Sequence, residues 1–63
     1  MKKLAPGQRW YASQTDSIIT IVKIEDGILY INDGQKEYTA PMKFGALDSE
    51  KMINDLFTLV DEA

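Results

Sequence analysis

The side chains best suited to chemistry lie near the start of the chain, where Arg9-Trp10-Tyr11 follows Lys2 and Lys3. Aromatic rings beside cations can stack exposed bases and neutralise phosphates, so Lys2, Lys3, Arg9 and Tyr11 are candidate nucleic-acid contacts. The same cluster suits a protein partner, because Tyr, Trp and Arg dominate protein-binding hot spots. In a strand, Trp10 and Tyr11 point to opposite faces, which puts one inside and one out. Trp10 is expected in the core and Tyr11 beside Arg9 on the surface. That arrangement favours a protein partner over nucleic acid.

The remaining candidates for catalysis have simpler explanations. Asp26 and Asp33 each precede a glycine, and neither has the alternating oxygen ligands and bidentate Glu of a calcium loop. Glu25 and Glu37 have no spacing that makes them an acid–base pair. Ser13, Ser17 and Ser49 fall in loop or cap positions, and the four glycines are too scattered to cradle a phosphate. The chain contains no His and no Cys. It therefore lacks the usual general base, the thiol nucleophile and the commonest metal ligands. The expectation is a protein that is not an enzyme, with no catalytic residue, no metal and no cofactor.

Net charge is −3, unevenly placed. Lys2, Lys3 and Arg9 are the only charges among residues 1–15, whereas Asp48, Glu50, Asp55, Asp61 and Glu62 face only Lys51 in residues 48–63. A general polyanion binder is usually basic overall, so nucleic acid is again the weaker reading. Pro6, Gly7, Gln8 and Arg9 interrupt any signal-peptide core after Lys2 and Lys3. No run reaches the roughly 18 apolar residues of a membrane span. A cytoplasmic chain without a membrane partner is expected.

These side chains need a scaffold, and Asp26-Gly27 and Asp33-Gly34 supply its punctuation. They bracket Ile28-Leu29-Tyr30-Ile31, and the apolar run Ile18–Ile24 leads into the first pair. Asp-Gly provides the positive φ angles of a two-residue hairpin turn, so three antiparallel strands joined by two tight turns are expected. With Asp26-Gly27 central, Ile24 faces Leu29 and Val22 faces Ile31. With Asp33-Gly34 central, Tyr38 faces Leu29 and Lys36 faces Ile31. One face then collects Ile18, Thr20, Val22, Ile24, Leu29, Ile31 and Tyr38. The other carries Ile19, Ile21, Ile28 and Tyr30. It is too apolar to stay bare, and a barrel interior, the C-terminal segment or a partner must cover part of it.

Pro6-Gly7 marks entry to a first strand from Gln8 to about Ala12. Pro41 ends the meander, leaving Met42 and Phe44 to plug the core. Asp48 or Ser49 caps a helix over about 48–56, and Phe57–Val60 reads as a closing strand, with helix continuation the alternative. Trp10 after Pro6-Gly7, a tight-turned meander, a short helix and a terminal Phe57-x-x-Val60 resemble the small SH3-like barrel proteins common in phages, prophages and bacteria. The resemblance implies an adaptor, regulator or inhibitor that binds a protein. It supplies no site residues, and the glycine pattern of the related RNA-binding KOW type is not matched.

The expected fold is mainly β (small α+β): a single domain over residues 1–63, an SH3-like twisted antiparallel barrel or meander of four to five strands with one short C-terminal helix. Its expected core is Trp10, Ile18, Val22, Ile24, Leu29, Ile31, Tyr38, Phe44, Ile53, Leu56 and Phe57. Candidate partner-binding residues are Arg9, Tyr11, Ile19, Ile21, Ile28 and Tyr30, for an unidentified protein. A homo-oligomer formed through an exposed strand or apolar face is a related expectation.

Overall fold

The computed structural model describes residues 1–62 and is mainly β, with one short helix. In chain order the elements are β1 (Arg9–Ala12), β2 (Ser17–Glu25), β3 (Ile28–Asn32), β4 (Glu37–Pro41), β5 (Lys43–Phe44), β6 (Leu47–Asp48), α1 (Ser49–Leu56) and β7 (Thr58–Asp61). An antiparallel sheet runs in the order β4-β3-β2-β1-β7, and β5 and β6 form a separate hairpin. The helix and closing strand fall where capping and periodicity put them. The Asp48 carboxylate accepts the Lys51 amide at 3.2 Å, and the Phe57 amide returns to the Ile53 carbonyl at 2.9 Å before the chain straightens into β7.

The two Asp-Gly pairs behave differently. Asp26 (φ 53°) and Gly27 (φ 74°) both take positive φ, the signature of a two-residue type I′ turn, and Ile24 faces Leu29 as expected. At the second pair only Gly34 has positive φ. The Asp33 carboxylate instead accepts the amides of Gln35 (2.9 Å) and Lys36 (3.0 Å), while Asn32 Oδ1 accepts from Gly34 (2.7 Å). These local bonds widen the connection to the four residues 33–36. Ile31 therefore faces Tyr38, and Leu29 faces Ala40 rather than Tyr38.

A larger correction lies within β2. Ile21 faces Ile31 and Lys23 faces Tyr30, so Val22 has no residue opposite it: it is a β-bulge. One extra residue reverses the side-chain alternation along the rest of the strand. Beyond the bulge Ile24 points inward; before it, Ile19 and Ile21 do. Ile18 and Val22, expected inside, are 41% and 40% exposed.

The core comprises Leu4, Trp10, Ile19, Ile21, Leu29 and Ile53, with Ile24, Ile31, Met42, Phe57 and Leu59 packed against it. Thus the C-terminal segment, through Ile53, covers the Ile19/Ile21 face. Tyr38, Leu56 and Phe44 are exposed despite being expected in the core. Tyr38 shares the inward side with Ile31 but sits on the edge strand. Leu56 is the last residue of the helix and is left half in solvent there. Phe44 (73% exposed) faces Leu47 in the small hairpin, so only Met42 plugs the core.

Candidate functional site

The sheet surface remote from Ile53 gathers the candidate site. Cross-strand partners share a face, and the register places Tyr11 beside Ile18, Arg9 beside Thr20, Lys23 beside Tyr30 and Glu25 beside Ile28. Tyr11, Thr20, Ile28 and Tyr30 are half-buried there, and Ile18 and Val22 stand exposed among them. The Lys23 ammonium lies 4.6 Å from the Tyr30 ring centroid and 3.2 Å from Glu25 Oε1. The nearby Glu25 carboxylate raises the Lys23 pKa above its ordinary value. Tyr11 donates its hydroxyl to Asp16 Oδ1 at 2.7 Å, and that bond, with the carboxylate's charge, raises the phenol pKa. Asp16 itself has φ 52°, a conformation that Asp tolerates in a turn.

Of the expected partner-binding residues, Arg9, Tyr11, Ile28 and Tyr30 share this face. Ile19 and Ile21 do not; the bulge turns both into the core, where neither can touch a partner. Ile18 and Val22 take their place on the outside. Alternation alone gives no sign of that exchange, because every residue from Ile18 to Val22 is β-branched.

The basic cluster is dispersed by its acidic neighbours. Pairing of β1 with β7 brings the positive start of the chain against the negative stretch near Asp61. Lys2 pairs with Glu62, and Arg9 pairs with Asp61 at 3.1 Å. Lys3 is exposed, Trp10 is buried, and Tyr11 is directed to Asp16. The four candidate nucleic-acid residues thus do not form one basic surface.

The edge strand β4 is poor at pairing with another chain. The bonds Met42 N–H to the Gly27 carbonyl (2.8 Å) and Asp33 N–H to the Lys36 carbonyl (3.2 Å) fix even-numbered residues as those bonded to β3. Glu37, Thr39 and Pro41 then direct their backbone groups outward. Pro41 has no N–H to give, and its carbonyl accepts from Ser49 Oγ at 2.7 Å. Only Glu37 and Thr39 offer outward donors.

Among the described residues no helix is long and apolar enough to cross a membrane, no pocket opens, and no group of three His, Cys, Asp or Glu side chains is arranged to hold a metal ion. Comparisons with family models, curated proteins and solved structures found no match.

Proposed function

We propose that the protein is a non-enzymatic interaction module, a cytoplasmic adaptor, regulator or inhibitor, that docks a protein partner on the outer sheet face through Tyr11, Ile18, Val22 and Tyr30. The observation that carries this reading is the exposure of Ile18 and Val22 between two half-buried tyrosines. Desolvating such aliphatic surface drives association, while the tyrosine hydroxyls and Lys23 add polar anchors.

The test is affinity capture from the native host's lysate, with and without nuclease, using the wild type, Ile18→Asp and Val22→Asp. A protein retained by the wild type after nuclease and lost by both folded variants supports the reading. Capture that vanishes with nuclease, or that both variants preserve, removes it.

A further inference from the structure

Residues 2–5 reach the rest of the molecule by an unusual route: their backbone is read by side chains. Asn54 Oδ1 accepts the Lys2 amide (2.7 Å), and Asn54 Nδ2 donates to the Lys2 carbonyl (2.8 Å). One carboxamide thus grips both polar groups of one peptide residue. Glu50, one helical turn earlier, accepts the Leu4 amide at 2.8 Å. Gln8 donates to the Lys3 carbonyl (3.0 Å) and accepts from the Ala5 amide (3.1 Å). The Leu4 side chain fills the apolar slot between these contacts, 4% exposed within the cluster of Trp10 and Ile53. Among the described residues no strand pairs with this arm. Such an arrangement is how a groove holds an extended peptide: backbone contacts give affinity, and one apolar side chain gives register.

The arm enters this groove through a single reversal. Ala5-Pro6-Gly7-Gln8 closes with the Gln8 amide on the Ala5 carbonyl (3.3 Å), with Gly7 at φ 92°, as a type II turn with Pro and Gly in its preferred positions. Straightening that turn would carry residues 2–5 away from their own α1, and the sheet contact nearest the hinge is the Gly7 N–H bond to the Ile21 carbonyl of β2 (2.8 Å).

We propose that the groove formed by Gln8, Glu50 and Asn54 also accepts the arm of a second copy, giving a reciprocal arm-exchanged dimer. The contacts that hold the arm to α1 join residues 46–52 positions apart, so a second chain supplies them equally well. Charge matches too, since the arm carries Lys2 and Lys3 and the groove is flanked by Glu50 and Glu62. The short Pro6-Gly7 hinge is the kind of connection whose opening favours exchange. This interface is separate from the outer sheet face.

Gly7→Val tests it, because a β-branched residue resists the positive φ of the turn. In sedimentation equilibrium of the full chain, the variant should form dimers with an apparent Kd lowered about a hundredfold from the wild type, about tenfold for each of the two turns that the reciprocal dimer opens. Adding Leu4→Asp should return it to monomer, and adding Ile18→Asp should not. In mixtures of isotope-labelled and unlabelled chains, NOEs should connect Leu4 methyls of one copy to Trp10 and Ile53 of the other. A folded Gly7→Val that stays monomeric overturns the proposal. So does a dimer that survives Leu4→Asp, or one without those NOEs. If Gly7→Val does not fold, the wild type at millimolar concentration decides by the same NOEs, and their absence overturns the proposal.

Discussion

Ile21 and Val22 are adjacent, aliphatic and β-branched, yet the first is 1% exposed and the second 40%. On either side of them β2 uses opposite sequence parity for its inward face: Ile19 and Ile21 before, Ile24 after. The difference is one unpaired residue in the ladder. Hydrophobicity explains why such a strand is buried somewhere, but the backbone register decides which residues are buried. The core face and the proposed docking face are therefore products of the same bulge.

The strongest way to break this contrast is to truncate both residues. Ile21→Ala should lose about 2–5 kcal/mol, from transfer and cavity costs together. That is a large share of the stability expected for so short a chain. Val22→Ala should stay within about 0.5 kcal/mol, as an exposed position does. Urea unfolding of the pair measures the difference, and equal losses would refute the assignment of faces.

Deleting Val22 sharpens the point, with a smaller expected loss than Ile21→Ala. Removal leaves Ile21 opposite Ile31 and Lys23 opposite Tyr30 in an unbroken ladder, so inward and outward residues keep their sides. What disappears is the local bend. A cooperative urea transition above that of Ile21→Ala is expected; loss of the fold would mean that curvature matters more than facing.

The smallest effect concerns the outer face, where polar contacts take the place of packing. Tyr11 should titrate above its ordinary value of 10.0 in ultraviolet absorbance, because Asp16 accepts from its neutral form. Asp16→Asn, which keeps tolerance of positive φ, should bring the titration back toward that value. Since the folded pKa is raised, the linked stabilisation is present below about pH 10, the unfolded value, and fades as pH rises through the folded one. An unchanged titration in Asp16→Asn would remove the contact.

Much of this architecture is legible in the residues. Asp26-Gly27 makes the expected turn, Asp48 caps the helix, and Phe57 begins the return to a closing strand. Trp10 and Leu29 lie inside, while Tyr11, Ile28 and Tyr30 share the outer face. Three features escape. From Ile18 to Val22 every residue is β-branched, so no break in alternation marks the bulge. At Asp33-Gly34, side-chain bonds from Asn32 and Asp33 compete with the tight turn and move the pairing of β4 by two residues, which preserves its facing. The Gln8, Glu50 and Asn54 cradle is illegible for another reason: it joins residues far apart in the chain.

Pro41 has a consequence for how this molecule behaves in concentrated solution. A short, β-rich chain with greasy residues on display is prone to stack strand upon strand into fibres. With one outward donor missing and the adjoining carbonyl engaged by Ser49, the rim of β4 is a poor seed for that growth. Replacing Pro41 with threonine would restore the donor and should hasten thioflavin-positive aggregation, while the wild type stays clear.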